Sequence, residues 1–350
     1  MQRFQKTLTV LILSLLLSQP VPVHAQHAAF ADVPADHPYS QSILQAVDIG
    51  LVKGGCDGGF APDRPLSLLA EAILLCRAFG TEGDLVNPIL ACQQYGWTAE
   101  YNSTYPHFQV CKKDFYRAAF HAAGDYIYDS DLFGEDVAGD SMDKYLRTAF
   151  LLGLSERDSA PDMLISRGEA VNAILILQDG NYHIPTPPIL TELSIEMETP
   201  GWDAGLKELL LVPESIRGQF SESGWHLVFG SKEVDRYSLE HDMTAIGLTS
   251  YSKRTIYAKT HDAVPHEFGH FLERAINATQ TAEHLYEEEG SAARKILGSY
   301  STTNSKEFFA EFFAYFIRHS DDPDKLSLLQ TTAPKTFAFF EHLERANWFT

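Results

Sequence analysis

Two histidines and a glutamate lie close together in the segment Ala263–His270, which reads Ala-Val-Pro-His-Glu-Phe-Gly-His. On a helix, His266 and His270 are about one turn apart, so both imidazoles project from one face toward a single metal ion. Glu267 lies beside that face, where a general base for a metal-activated water is needed. If the segment is helical, the spacing is typical of a zinc hydrolase.

A third metal ligand would distinguish a zinc site from a chance match and from a pair of core histidines on an amphipathic helix. The chain has 14 histidines in 350 residues, so a chance match has to be considered. The ligand set of metzincins is excluded, because Glu273 and Ile276 occupy the positions where that class needs Gly and His.

A later segment, Glu307–Phe316, offers a carboxylate ligand instead. Its five phenylalanines cover most of a helical cylinder and leave a narrow stripe of Glu307, Ala310, Glu311 and Ala314. Burial of an unpaired carboxylate costs several kcal/mol, so two on a buried stripe require a cation or hydrogen-bond donors. We therefore interpret Glu307 as a zinc ligand and Glu311 as an acceptor for a ligand histidine. The alternative is that Glu307 and Glu311 simply lie on a solvent-exposed stripe of the helix.

The order and spacing of these motifs resemble the anthrax lethal-factor-type metalloproteases, a family that includes secreted Pro-Pro endopeptidases. The resemblance is specific from His266 to the C-terminus and diffuse between Thr191 and Val264. The matching pieces are His-Glu-Phe-Gly-His, Gly298–Tyr300, Glu307–Glu311 and Ala333–Phe337.

The resemblance implies a role for each residue of the site. His266, His270 and Glu307 would bind one Zn²⁺ per chain, Glu267 would be the general base, and Tyr300 would donate to the transition state. The role of Tyr300 depends on the resemblance alone, because the chain has 15 tyrosines and spacing does not single this one out.

Two short β-type runs precede the histidine motif. Thr244–Thr249 and Thr255–Ala258 predict a pair of strands around Ser250–Arg254. Many zinc peptidases bind an extended substrate along an edge strand, and we expect this pair to provide it. A hairpin without substrate contact is the alternative.

The N-terminal half contains an internal repeat. A segment that begins at Phe30 has helix-like runs over Ser42–Ile49 and Leu66–Phe79, and a similar pattern recurs from Phe133 to Glu169. Both units resemble the S-layer homology module, a two-helix repeat that binds secondary cell-wall polymer. Such modules work in threes, so residues 84–131 would be a degenerate middle member.

An arginine is expected where such a module grips an anionic glycan. The Thr-Arg-Ala-Glu motif of the resembled modules corresponds to Leu68–Glu71 in the first unit by this interpretation, and the arginine is absent there. Ser166–Glu169 of the last unit retains it as Arg167, the candidate polymer-binding residue. A helical spacer without a ligand is the alternative.

The first 25 residues predict a signal peptide. Arg3 and Lys6 precede the apolar run Leu8–Leu17, and Val23–Ala25 forms a small-residue cleavage site. The run is short for a membrane span, so we predict no membrane insertion. The net charge of −20 argues against nucleic acid as a partner. We expect a secreted protein that is either free or attached to the cell wall.

All four cysteines, at positions 56, 76, 92 and 111, lie in the N-terminal half. They contain no Cys-x-x-Cys pair, so a structural zinc site is not expected, and export would permit disulfides. Proximity in the sequence favours Cys56 with Cys76 and Cys92 with Cys111. The C-terminal half has no cysteine, which excludes a cysteine nucleophile there.

The predicted fold is an all-α region of S-layer-homology-like repeats followed by an α+β, gluzincin-like metalloprotease domain. The expected boundaries are a signal peptide at 1–25, repeat units at 26–83, 84–131 and 132–180, a Pro-rich linker at 181–190, and the protease domain at 191–350.

The predicted function is a secreted zinc metalloendopeptidase that acts on protein or peptide substrates, with Pro-Pro bonds as one specificity to test. The alternative is a non-enzymatic cell-wall-binding protein with a vestigial protease domain, although the joint presence of His266, Glu267, His270, Tyr300 and Glu307 argues against decay. A toxin effector is the third interpretation, but no segment resembles a receptor-binding domain.

Overall fold

The computed structural model describes residues 30–55, 57–98, 105–133, 143–156 and 159–349. The predicted signal peptide, Cys56 and residues 134–142 of the second repeat unit lie outside these ranges. None of the helices described is both long and apolar enough to cross a membrane.

The described residues are mostly helical and include one small mixed sheet. In the N-terminal part the helices are α1 (Ser40–Asp48), α2 (Leu68–Phe79), α3 (Pro88–Gln94), α4 (Lys112–Ala123), α5 (Lys144–Leu151) and α6 (Arg167–Asp179). The C-terminal elements are α7 (Ile189–Glu192), β1 (Ile195–Met197), α8 (Asp203–Leu211), α9 (Glu214–Glu222), β2 (His226–Phe229), α10 (Lys232–His241), β3 (Gly247–Ser250), β4 (Thr255–Ala258), α11 (Ala263–Ala275), α12 (Thr279–Leu297), α13 (Ser305–Arg318), α14 (Pro323–Thr332) and α15 (Pro334–Arg345).

The six α-helices described in the N-terminal part form three pairs around a common axis. Helices α2, α4 and α6 pack against one another, and the first helix of each pair packs on the second helix of another pair. Thus α3 contacts α2, α5 contacts α4, and α1 closes the circle on α6. Their apolar faces share one core.

A closed ring of backbone hydrogen bonds lies on this axis. The Leu66 N–H donates to the Ile165 carbonyl at 2.9 Å, the Ile165 N–H to Val110 at 3.1 Å, and the Val110 N–H to Leu66 at 3.0 Å. The same threefold pattern continues one step further, with Leu68 donating to Phe108, Lys112 to Met163 and Arg167 to Arg64. Leu68, Lys112 and Arg167 therefore occupy equivalent positions.

This equivalence corrects the predicted alignment of the first repeat unit with the last one. The Ser67 hydroxyl accepts from the Ala70 N–H at 3.3 Å, as the Ser166 hydroxyl accepts from the Glu169 N–H at 3.2 Å. Both serines are N-caps, so the counterpart of Glu169 is Ala70 rather than Glu71. The sequence-based alignment was wrong by one residue, because it matched the glutamates instead of the caps.

The predicted cysteine pairing is also wrong for the cysteines that the structure describes. In the structure, none of Cys76, Cys92 and Cys111 is joined to another cysteine by a disulfide bond. The Cys92 sulfur lies 3.7 Å from that of Cys76, and the Cys111 thiol donates to Asp114 at 3.0 Å. Packing of α3 on α2 brings Cys92 to Cys76, the two cysteines that are nearest to each other in the sequence.

The C-terminal part has its own aromatic-rich core and carries the sheet. The strand order is β1-β2-β4-β3, with β1, β2 and β4 parallel and β3 antiparallel to β4 at one edge. The two predicted strands therefore exist, although β3 begins at Gly247 rather than Thr244. Helix α11 packs both on β3 and on α13.

The two parts meet at Asp203, the first residue of α8. Its carboxylate accepts from the Tyr126 hydroxyl and from the Asp129 N–H, both at 2.9 Å. Nearby, Leu132 is buried in the C-terminal core. The segment after α4 therefore docks on α8 through polar and apolar contacts together.

Candidate metal centre

Helix α11 carries the histidine motif, as the spacing predicts. Pro265 is its third residue, where the missing N–H costs nothing because the first-turn donors have no partner within the helix. Val264, Phe268 and Leu272 are fully buried on the core side of this helix. The histidines project from the opposite side, toward α13.

Helix α13 has a strong start signal that sets the position of Glu307. Asn304 is the N-cap, and its side-chain oxygen accepts from the N–H groups of Lys306 at 2.9 Å and Glu307 at 3.1 Å. The five phenylalanines of this helix are buried, as predicted. Their burial turns the stripe that contains Glu307 and Glu311 toward α11.

Three ligand atoms converge between these helices. The distance from His266 Nε2 to Glu307 Oε2 is 3.1 Å, His270 Nε2 lies 3.1 Å from His266 Nε2, and His270 Nε2 lies 3.3 Å from Glu307 Oε2. A tetrahedral zinc site has bonds of about 2.0–2.1 Å, which separates neighbouring ligand atoms by roughly 3.3–3.4 Å. The donor set of two imidazoles and one carboxylate therefore fits Zn²⁺ in type and in spacing.

The electrostatics of the site favour a cation. Glu311 Oε1 lies 3.0 Å from His266 Nδ1, as an ion-pair contact that is not a hydrogen bond. Burial acts to lower the pKa of His266, but the carboxylates of Glu307 and Glu311 outweigh it and raise that pKa to about 10. Burial likewise acts to raise the pKa of Glu307, and the two imidazoles hold it well below its usual range. A positive charge between these groups is stabilised.

Glu267 lies on the side of α11 that faces β3. Its side chain is only 5% exposed, and the Thr249 hydroxyl donates to its Oε2 at 2.6 Å. Burial raises the pKa of Glu267, while the neighbouring imidazoles of His266 and His270 act in the opposite direction. A carboxylate with a raised pKa is well suited to accept a proton near neutral pH.

Tyr300 lies in the short turn that precedes α13, at the mouth of the site. Its ring centroid is 5.8 Å from that of His266, and the side chain is 48% exposed. Burial of the hydroxyl and the negative charge of Glu307 raise the pKa of Tyr300. The phenol therefore stays protonated at neutral pH and is available as a donor.

The structure thus brings together His266, Glu267, His270, Tyr300, Glu307 and Glu311. It places Arg167 elsewhere, in the N-terminal part. There the guanidinium lies over the Phe60 ring at 4.7 Å from its centroid and lines a cavity of about 220 Å³ with Lys53 and Arg77.

Sequence reasoning missed Thr249 as a residue of the site. The available signal was the predicted strand itself, because a strand that borders the active helix has to turn alternate side chains toward it. Gly247, Thr249 and Tyr251 are such alternate residues.

Part of the chain is similar to a known protein family. A profile of the family described as "Anthrax toxin lethal factor, N- and C-terminal domain" matches residues 231–343, which include every residue of the candidate metal centre. No curated protein matches the chain. The solved structure of the Pro-Pro endopeptidase from Paenibacillus alvei aligns with 17% sequence identity and a TM-score of 0.34, and the alignment covers 44% of this chain and 98% of the endopeptidase.

Proposed function

We propose that this chain is a secreted zinc metalloendopeptidase that hydrolyses peptide bonds in extracellular or surface proteins. The observation that carries the proposal is the convergence of His266, His270 and Glu307 at mutual distances of 3.1–3.3 Å, beside the buried carboxylate of Glu267. The match of residues 231–343 to the lethal-factor family supports the assignment to peptide hydrolysis.

Each residue of the site has its own role in the hydrolysis of a peptide bond. Zn²⁺ held by the two histidines and Glu307 would act as a Lewis acid and lower the pKa of a water molecule. Glu267 accepts the proton of the attacking water and delivers it to the leaving amine. Tyr300 donates a hydrogen bond to the developing oxyanion, a contact worth roughly 2.7–4 kcal/mol in comparable sites.

Strand β3 is the proposed place for the substrate backbone. It is the last strand on its side of the sheet among the described residues, so its outer edge offers N–H and C=O groups to an extended peptide. Helix α11 packs directly on this strand. A peptide paired with β3 would therefore pass beside the metal centre. Cleavage between two prolines is the finer proposal.

The test is a digest of a combinatorial peptide library by the mature protein with zinc, beside a Glu267→Ala control. We expect cleavage by the wild type alone, with zinc retained in both proteins. A Pro-Pro preference among the products would support the finer specificity, and cleavage at other bonds would remove it. A wild type that binds zinc and cleaves no library peptide would favour a vestigial domain.

Export is a part of the proposal that can be tested separately. We expect the protein recovered from the culture medium or the cell surface to begin at Gln26, which N-terminal sequencing would establish. A surface protein that retains Arg3 and Lys6 would contradict cleavage after Ala25.

Binding of cell-wall polymer is a second candidate function, and the cavity beside Arg167 favours it. Among the three equivalent positions, Leu68 has no charge, and the Lys112 ammonium lies 2.9 Å from the Glu169 carboxylate. Arg167 instead lines the cavity together with Lys53 and Arg77. Three cationic side chains over an apolar floor suit an anionic glycan.

A pulldown with purified cell wall tests this second function. We expect retention of the wild type and of an Arg345→Ala control, which removes one exposed charge from α15, and loss of retention with Arg167→Ala. Equal retention of both variants would dismiss Arg167 as a polymer ligand.

A further inference from the structure

One face of β3 lies against the active-site helix α11, and three successive alternate residues make the contact. A Cβ on Gly247 would meet the Glu267 carboxylate and would lie 2.9 Å from the Ala263 Cβ, so the absence of a side chain lets the strand come close to the helix here. Two residues on, the Thr249 hydroxyl donates to Glu267 Oε2 at 2.6 Å. Just past the strand, the Tyr251 hydroxyl donates to the His270 carbonyl at 3.2 Å.

We propose that Thr249 is a positioning residue that holds the carboxylate of Glu267 in the orientation needed to activate water. Within the described residues, the Thr249 hydroxyl is the hydrogen-bond donor that the structure gives to this buried carboxylate. A glutamate side chain has three rotatable bonds, so a fixed donor removes rotational freedom from the base before the substrate arrives. The proposal depends on the proposed peptidase function.

The placement of this donor on β3 has a mechanistic consequence. The same strand would hold the substrate backbone on its outer edge and the general base on its inner face. A displacement of about 1 Å in a reacting group can cost roughly 100-fold in rate. A single rigid strand that positions both the substrate and the general base keeps their relative geometry fixed. The side chain of Thr249 thereby affects turnover more than substrate binding.

The catalytic test compares Thr249→Val, which keeps the shape and removes the hydroxyl, with Thr249→Ser, which keeps the hydroxyl. With the best peptide from the library, we expect Thr249→Val to lower kcat by about 10- to 100-fold with KM changed less than about twofold. The kcat of Thr249→Ser should stay within about threefold of the wild type. Zinc content and Tm should be the same in all three proteins. A wild-type kcat for Thr249→Val, or a Thr249→Ser protein as slow as Thr249→Val, would overturn the proposal.

Crystal structures of the three zinc-loaded proteins decide the point without activity. We expect the Glu267 carboxylate to turn away from β3 in Thr249→Val and to stay in place in Thr249→Ser. If the wild type cleaves no peptide, the peptidase function fails, and the carboxylate position alone tests the role of Thr249. An unmoved carboxylate in the Val variant would refute the proposal in either case.

An independent observation concerns the two thiols that meet between α2 and α3. The sulfurs of Cys76 and Cys92 are 3.7 Å apart, and both side chains are fully buried in the N-terminal core. A disulfide bond is about 2.05 Å long, so the atoms have to approach by about 1.7 Å. Cys111 is engaged with Asp114 and does not compete for either sulfur.

We infer that Cys76 and Cys92 form a disulfide when the chain folds under oxidising conditions. Each thiol loses one proton and one electron as the sulfur–sulfur bond forms, and the two electrons reduce glutathione disulfide to two glutathione thiols. Burial raises the pKa of both thiols in the folded core, so exchange takes place during folding, while they are still accessible.

The experiment is refolding of the mature protein in reduced and oxidised glutathione, followed by alkylation and mass spectrometry of a nonreduced digest. We expect one crosslink between the peptides of Cys76 and Cys92, present also in a Cys111→Ser control. Reduction of the folded protein should lower Tm by several degrees, because the bond closes a loop of about 15 residues. Alkylation of both thiols after oxidative refolding, or a crosslink to Cys111 or Cys56 instead, would overturn the inference.

Discussion

Gly269 of α11 and Ala310 of α13 are in direct contact where the two helices meet. A Cβ on Gly269 would lie 2.7 Å from the Ala310 Cα and 3.1 Å from its carbonyl oxygen. Gly269 lies within the histidine motif, and Ala310 lies three residues after Glu307. The close approach of the two backbones is therefore what brings the imidazoles within reach of the Glu307 carboxylate.

Replacement of Gly269 by alanine should separate the ligands. The added methyl group meets backbone atoms that cannot rotate away, so we expect a loss of about 1–3 kcal/mol in the free energy of unfolding. The methyl group should also push the two helices apart, and the resulting displacement of the ligands should lower zinc affinity at least tenfold. Chelator competition and thermal unfolding would measure both.

Gly218→Ala is the matched control for this change. Gly218 lies within α9, where an added Cβ meets no atom within 4 Å. We expect unchanged zinc affinity and a gain of roughly 0.5–1 kcal/mol in stability. Equal zinc affinity in the Gly269 and Gly218 variants would show that the helix contact does not position the ligands.

Glu311 should support zinc binding without being a ligand. Its carboxylate lies 3.0 Å from His266 Nδ1, the ring nitrogen that faces away from the metal position. Loss of such a partner typically lowers metal affinity 10- to 100-fold, and we expect this range for Glu311→Ala. Glu344→Ala, on an exposed part of α15, is the control and should bind zinc like the wild type. A wild-type dissociation constant for Glu311→Ala would contradict the assignment.

Glu71 should make the N-terminal part less stable at alkaline pH. Both carboxyl oxygens are buried without a hydrogen-bond partner, and burial, with a smaller effect of Asp114, raises the pKa of Glu71 from 4.5 to about 8. Between these values the folded state binds the proton that the unfolded state has lost. The contribution of Glu71 to the free energy of unfolding is therefore fully present below pH 4.5. It falls by several kcal/mol as the pH rises to 8.

Glu71→Gln tests this dependence. We expect the variant to match the wild type near pH 5 and to exceed it in stability at pH 8, as denaturant unfolding would show. Glu169→Gln is the contrasting variant, since it weakens the partner of the buried Lys112 ammonium and should destabilise the protein at both pH values. An unchanged pH slope in Glu71→Gln would exclude Glu71 as the source.

Glu289 should stabilise the C-terminal helix α15. Its carboxylate accepts from the N–H groups of Lys335 and Thr336 at 2.9 and 2.8 Å and from the Thr336 hydroxyl at 2.7 Å. A buried carboxylate at a helix N-terminus is favoured by the free N–H groups and by the helix dipole. We expect Glu289→Ala to cost about 2–4 kcal/mol in the free energy of unfolding.

The neighbouring Glu288 provides the control for this cap. It pairs with the Lys335 ammonium at 2.6 Å on the surface, where solvent screens the interaction. Glu288→Ala should therefore leave the unfolding midpoint almost unchanged. Similar midpoints for the Glu288 and Glu289 variants would argue against a capping role.

Features that repeat with a local period could be predicted from the sequence. The spacing of His266 and His270 and the phenylalanine pattern around Glu307 specify two helices and the face of each that carries polar groups, because neighbours at three and four positions share a helix face. The short strands before the histidine motif follow from their β-type composition. These elements are present in the structure.

Other features of the protein depend on contacts between segments that are distant in the chain and could not be predicted. The Thr249–Glu267 hydrogen bond, the Gly269–Ala310 contact and the meeting of Cys76 with Cys92 each join two different elements. No periodic pattern encodes such contacts, since they arise when apolar faces pack and select one register among many. The alignment of Ser67 with Ser166 was likewise decided by the backbone ring around the N-terminal axis, because hydrogen bonds there depend on position and not on side-chain identity.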